Sequence, residues 1–204
     1  MNKWHYISAV CAFIIFCILW MTYETPFIQA FDKGASDLFY EREYITVFHY
    51  IGETKFIFSV AIILLLVILI RLKDYKLMLF ELLSIGFGYA LYHALKRIVE
   101  RPRPEIVDQL NTFSFPSGHA LHGFLYLVTV AYVFEKIVIS KTTSRIIWTI
   151  AIILFLLTGL SRIAGGRHFA SDVLAGWMLG YSWFILCVWW YESAYRSRPD
   201  REEI

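Results

Sequence analysis

The sequence predicts an all-α fold: an integral membrane bundle of six transmembrane helices, with short amphipathic helices between the first and second spans. Three observations predict it. The 204 residues are 58% hydrophobic and 18% charged, with a mean hydropathy of +0.57, whereas a water-soluble domain is about 45–50% apolar and about 25% charged. Aromatic residues make up 18% of the chain, which suits amphipathic rings placed at two headgroup layers. Six apolar stretches recur, each close to the roughly 20 residues that cross about 30 Å of hydrocarbon. In lipid the backbone must satisfy its own hydrogen bonds, so these stretches are helices. Nineteen basic and 17 acidic residues leave a net charge of +2. There is no basic field, and no nucleic-acid partner is expected.

The first span, 4–23, follows Lys3 and lacks a small-residue cleavage site, so it reads as a retained helix rather than a signal peptide. Residues 24–54 mix Phe27, Ile28, Phe31, Leu38, Phe39, Tyr40 and Phe48 with charges, the pattern of helices lying in the interface. That segment serves either as a packed cap or as a lid and lipid entrance. The second and third spans, 55–71 and 76–95, flank the cationic stretch from Arg71 to Lys76. The remaining spans are 118–135, 145–161 and 172–191, and the fourth and sixth begin with polar residues. Glu81 is expected to snorkel to the headgroups. Gly176 and Gly180 form a small-xxx-small pair suited to close helix packing. Cys11, Cys17 and Cys187 lie inside apolar runs and read as packing residues. No internal repeat is evident, and 1–204 reads as one domain.

Six spans put both termini on one side. Lys3, the loops 71–76 and 136–145, and Arg196, Arg198 and Arg201 share that side, which the positive-inside rule makes cytoplasmic. The polar clusters at Lys96 to Pro104, Pro116 to His119 and Ser161 to Asp172 then share the other, extracytoplasmic face. Ionisable residues at membrane depth are costly, so a functional role is the starting hypothesis. Lys96, Arg103 and Arg162 bring fixed positive charge, and the arginines bring forks that match phosphate oxygens. Ser117 adds a hydroxyl, and Gly118 lets backbone N–H groups approach an oxyanion at a helix start. Together they form an anion site suited to phosphoryl transfer.

The two histidines divide the remaining work. Asp172 is four residues after His168, a spacing that sets a carboxylate beside an imidazole and stabilises the cation formed on attack. His168 is the nucleophile candidate and His119 the general acid. Around these motifs only Glu100, Glu105, Asp108 and Asp172 are acidic, too few for a metal cluster. No metal and no cofactor are expected. His122 is assigned to packing or to support of the site, and Gly165-Gly166 to the turn that delivers His168. His5, His49 and His93 receive no role.

The order Lys96-x6-Arg103-Pro104, Pro116-Ser117-Gly118-His119 and Ser161-Arg162-x5-His168-x3-Asp172 resembles the three-part signature of the type 2 phosphatidic acid phosphatase superfamily, with every position matched. Size and layout are similar to its bacterial phosphatidylglycerophosphatase B type, which includes undecaprenyl pyrophosphate phosphatases. The resemblance implies that Lys96, Arg103, Ser117, Gly118 and Arg162 bind phosphate. It further implies that His119 protonates the leaving group, His168 forms a phosphohistidine, and Asp172 orients it, without metal. The implied enzyme is a phosphoric monoester hydrolase of the cell membrane. Its expected partners are a lipid phosphate substrate and membrane lipids, with no obligate protein partner. Phosphatidylglycerophosphate leads as substrate, and undecaprenyl pyrophosphate in carrier-lipid recycling is the alternative. An anion transporter is a rival that the gathering of motif residues at one face, with no ionisable residues continuing through the other half, argues against.

Overall fold

The structure, a computed structural model, describes residues 3–105 and 112–196. Asp108 of the acidic set, Arg198, Arg201 and the side chain of Arg196 lie outside the described residues. Helix α1 (Lys3–Thr22) buries one stripe, Ala9, Ala12, Phe16 and Leu19, and turns Ile7, Val10, Phe13 and Ile14 outward. Its apolar outer face is what a helix in lipid presents. Pro26 at the first helical position begins α2 (Pro26–Phe39), whose buried residues are Ile28 and, four further on, Asp32. A short α3 (Glu43–Thr46) and a 3-10 turn (Val47–Gly52) complete this connection, matching the expected amphipathic helices.

Helix α4 (Thr54–Val67) continues as a π-helical stretch, Ile68–Leu72, and stops at Lys73, whose φ is 52°. Asp74 then caps α5 (Tyr75–Glu81) by accepting from Leu77 N at 3.0 Å. A second π stretch, Leu82–Phe87, joins α5 to α6 (Gly88–Val99), giving one span from Tyr75 to Val99. Helices α7 (Gly118–Ile137), α8 (Lys141–Ala164) and α9 (Ala170–Arg196) follow. Six helical segments among the described residues are long and apolar enough to cross a membrane, as the sequence predicts. The third and fifth spans run on to Val99 and Ala164, past the expected ends at 95 and 161. Lys96 and Arg162 are buried against protein in the last turns, so the charges that end a hydropathy window do not end these helices.

Helix α7 is the hub, buried along nearly all its length and packed against α8 and α9, while α9 also packs against α1. Lipid supplies no hydrophobic drive between helices, so close van der Waals fit holds them. A Cβ on Gly176 would stand 2.8 Å from Ser117 O, and one on Gly180 3.0 Å from Phe124 Cδ1. The small-xxx-small pair thus lets α9 lie on α7. At the end remote from the motifs, Tyr191 Oη donates to Asp74 Oδ2 at 2.9 Å and Lys76 Nζ to Ala194 O at 2.5 Å. Glu81 corrects one expectation. It does not snorkel but shares the buried stripe of Leu77 and Phe80, 1% exposed, with neither carboxylate oxygen hydrogen-bonded among the described residues. Its helical phase, not its charge, decides where it points.

Candidate active site

The end of α6, the linker behind it, the starts of α7 and α9 and the end of α8 converge at one end of the bundle. Ser117 N donates to Asp172 O at 3.0 Å, tying the starts of α7 and α9 together. Gly166, with φ 62°, makes the turn after α8, and Arg167 N and His168 N both return to Arg162 O at 2.9 and 3.3 Å. The Gly165-Gly166 pair delivers His168 as expected.

His168 is 4% exposed, with its two ring nitrogens facing opposite partners. Nδ1 lies 3.5 Å from Asp172 Oδ2, and Nε2 lies 3.1 Å from Arg103 Nη1. Arginine has only donors to offer, so Nε2 accepts and the proton sits on Nδ1, toward the carboxylate. Burial first, and then the charges of Arg103, Arg162 and Lys96, hold this imidazole well below its ordinary pKa. A ring so held is a neutral base, and its Nε2 lone pair points at the cations.

The remaining guanidinium contacts fix Arg103. Its Nε donates to Thr112 O at 2.8 Å and its Nη1 to Arg167 O at 2.6 Å. Burial lowers its pKa, opposed by Tyr92 and Asp172. Lys96 Nζ donates to Tyr92 Oη at 2.5 Å, and the same ring lies where a Cβ on Gly118 would stand, 2.7 Å from Tyr92 Cζ. Glycine at 118 therefore makes room for Tyr92 as well as opening the helix start. Ser117 occupies the N-cap of α7 without capping it, and its buried hydroxyl makes no hydrogen bond among the described residues. Neither does Arg162 Nε, which is buried near Arg103 and Tyr92. Unspent buried donors beside fixed cations suit the equatorial oxygens of a phosphoryl group. His119, half-buried one residue into α7, lies within electrostatic reach of Arg162 and His168.

All eight residues singled out in the sequence sit at this end. His122 is buried, stacked on Tyr89 at 5.1 Å and edge-on to Tyr92 at 4.9 Å, which is a packing role. Sequence reasoning missed four others. Tyr92 positions Lys96. Gly52, in the 3-10 turn, lies so close to His119 that its Cβ would meet the imidazole Cδ2 at 2.7 Å. Arg101 and Asp32 join Asp172 in a buried cluster. Asp32 carried a signal, an acid on the buried face of an amphipathic helix, and Arg101 showed only as a second Arg-Pro inside the first motif, between Lys96 and Arg103. Among the described residues no acidic or sulfur cluster could hold a metal ion.

Comparison with known proteins gives the family and the fold. The PAP2 superfamily model matches residues 77–196, more than half of the chain. The phosphatidylglycerophosphatase B of Bacillus subtilis (strain 168) is 28% identical over 198 residues, 93% of this chain and 97% of that protein. The undecaprenyl-diphosphatase of Sulfolobus acidocaldarius is 38% identical over 71 residues, 35% of this chain and 30% of that protein. The crystal structure of a transmembrane PAP2-type phosphatidylglycerolphosphate phosphatase from Bacillus subtilis superposes with a TM-score of 0.83 at 28% identity, covering 94% of this chain and 99% of that one.

Proposed function

This chain belongs to the PAP2 superfamily and is a multi-pass membrane phosphatase of lipid phosphates; we propose that it converts phosphatidylglycerophosphate to phosphatidylglycerol through a phosphohistidine on His168. One observation carries the mechanism: the lone pair of His168 Nε2 faces Arg103 while its Nδ1–H faces Asp172. Lys96, Arg103, Arg162, Ser117 and the N–H groups at Gly118 hold the phosphate oxygens. Nε2 attacks phosphorus as the P–O bond to the lipid breaks, and His119 gives its proton to the departing oxygen. Asp172 stabilises the positive charge that the ring acquires. Water, giving a proton back to His119, then attacks phosphorus, the P–N bond breaks and inorganic phosphate leaves.

The substrate assignment is supported by the near full-length likeness to a phosphatidylglycerophosphatase B. An apolar groove of about 730 Å³ between α1, α6 and α9 supplies a place for acyl chains. It runs past Phe13, Phe16 and Leu91 to Leu95, the residue next to Lys96. The site faces the extracytoplasmic side and both termini the cytoplasm, from the distribution of loop cations, and the chain works as one domain without metal. A second reading, undecaprenyl pyrophosphate hydrolysis, is favoured by the local likeness to an undecaprenyl-diphosphatase.

The transporter rival loses one argument against it, because Glu81 is an ionisable residue buried in the other half. A lone carboxyl offers a phosphate no attraction, so no anion path results. Phosphate release by purified protein in detergent with EDTA tests the proposal. Phosphatidylglycerophosphate should turn over faster than phosphatidic acid and undecaprenyl pyrophosphate. A faster pyrophosphate substrate would establish the second reading, and full activity in His168→Ala would overturn the mechanism.

A further inference from the structure

Asp32 lies on α2, outside all three motifs and outside the stretch matched by the family model, yet it is built into the active centre. Arg101 Nη2 donates to Asp32 Oδ2 at 2.8 Å, and its Nη1 donates to Asp172 Oδ1 at 2.7 Å. Ser171, the neighbour of Asp172, closes the ring. Its N–H donates to Asp32 Oδ1 at 2.7 Å, its hydroxyl donates to Asp32 Oδ2 at 2.8 Å, and its Oγ accepts from Arg101 Nη1 at 2.8 Å. Asp172 Oδ2 accepts from Phe169 N at 2.9 Å and faces His168 Nδ1. The guanidinium also lies over the rings of Tyr23 and Phe169, 4.8 and 4.2 Å from their centroids. Every charged member is 5% exposed or less.

We propose that Asp32 and Arg101 are positioning residues for this reaction: with Ser171 they fix the Asp172 carboxylate behind His168 and leave it with uncompensated charge, which makes α2 a working part of the active centre. The inference rests on His168 being the nucleophile. Burying three charges gains little stability by itself, since apolar residues of the same volume serve as well or better. The charge balance explains the cluster instead. One guanidinium shared between two carboxylates leaves a net negative charge, and the nearest cation-in-waiting is His168, which becomes positive on attack. Without Asp32, Arg101 would neutralise Asp172 one to one and weaken its hold on that cation.

Asp32→Asn, Asp32→Glu and Arg101→Gln, compared with the unaltered protein, test this by kcat, KM and the acid limb of kcat/KM. The groups facing His168 are Asp172 on α9, Arg103 of the linker, Lys96 on α6, Arg162 on α8 and His119 on α7, and all are retained. Asp32→Asn should lower kcat roughly 10- to 100-fold, with KM within about twofold because the phosphate cradle is intact. Losing a negative charge disfavours protonated His168, so the acid limb moves to lower pH. Losing the Arg101 charge moves it to higher pH, and Asp32→Glu restores part of kcat. The substrate's own ionisation is common to all variants and cannot produce opposite displacements. Unmoved limbs, with rates that fall only as the folded fraction falls, would overturn the proposal. Should the charge-removing variants not accumulate, Arg101→Lys and Asp32→Glu decide it, and kcat equal to the unaltered protein in both would refute it. Activity surviving in His168→Ala would instead refute the underlying mechanism.

Discussion

Arg103 Nη1 and His168 Nε2 stand 3.1 Å apart, so the lone pair of the proposed nucleophile and the cation proposed to bind phosphate share one line of approach. Two opposed demands meet there. The cation must draw the phosphoryl group onto the ring, and it must also keep the ring from taking a proton first. Both follow from one buried guanidinium, because the same positive charge attracts phosphate oxygens and disfavours imidazolium.

The first prediction is a displaced acid limb. His168 must be neutral to attack, and burial together with Arg103, Arg162 and Lys96 lowers its pKa well below 6.5. Nucleophile protonation should therefore not limit kcat until the pH is well under 6.5. Arg103→Gln removes one of the depressing charges, so its acid limb should rise toward that of an ordinary histidine while kcat/KM falls. Profiles of phosphate release against pH measure both.

Replacement of His119 by Ala should discriminate between leaving groups. Protonating an alkoxide contributes typically 10²- to 10⁴-fold, and an aryl phosphate with an acidic phenol needs no such help. His119→Ala should lose about that factor on a lipid phosphate and far less on p-nitrophenyl phosphate. Equal losses on both would remove the general-acid role.

Arg162 should resist conservative exchange. Its Nε is buried without a partner among the described residues, and lysine supplies the charge but not the fork. Arg162→Lys should weaken inhibition by vanadate and lower kcat/KM by roughly tenfold or more, about 1.4 kcal/mol. Unchanged vanadate binding would place Arg162 outside the cradle.

Gly176→Ala should harm both stability and activity. Its methyl would meet the carbonyl of Ser117 at 2.8 Å, and backbone at the start of α7 cannot swing aside, so overpacking should cost about 1–3 kcal/mol. Gly180→Ala meets a phenyl edge at 3.0 Å, which can rotate. Thermal unfolding in detergent should rank them in that order, and the first should also slow hydrolysis by moving Ser117.

Blocking the apolar groove should separate lipid from soluble substrates. Leu95→Trp narrows it beside the cradle. KM for a long-chain lipid phosphate should rise severalfold, while p-nitrophenyl phosphate turnover stays near the unaltered rate. Equal effects on both would mean that chains lie elsewhere.

How much of this was legible depends on what kind of information each residue carries. Span number followed from composition, because length and apolarity are local properties. Lys96, Arg103, Ser117, His119, Arg162, His168 and Asp172 were legible because phosphoryl chemistry needs those side-chain types and the fold returns them to one end. Arg101 and Asp32 were not, since their meaning lies in contacts across 69 and 139 positions, which no local pattern encodes. Glu81 misled for a similar reason. Its charge suggests an outward path, but only the packed helix shows that its phase matches Leu77 and Phe80.

The π-helical stretch Leu82–Phe87 has a bearing on all of this from within the hydrocarbon. Such a stretch absorbs one surplus residue, and each residue in an ordinary helix turns the chain about 100°. Were the surplus not absorbed, Lys96 and Tyr92 would emerge about a quarter-turn around the axis, turned away from Arg103, Arg162 and the start of α7. A locally overwide coil near the middle of the span therefore sets the compass bearing of an ammonium group about two and a half turns away.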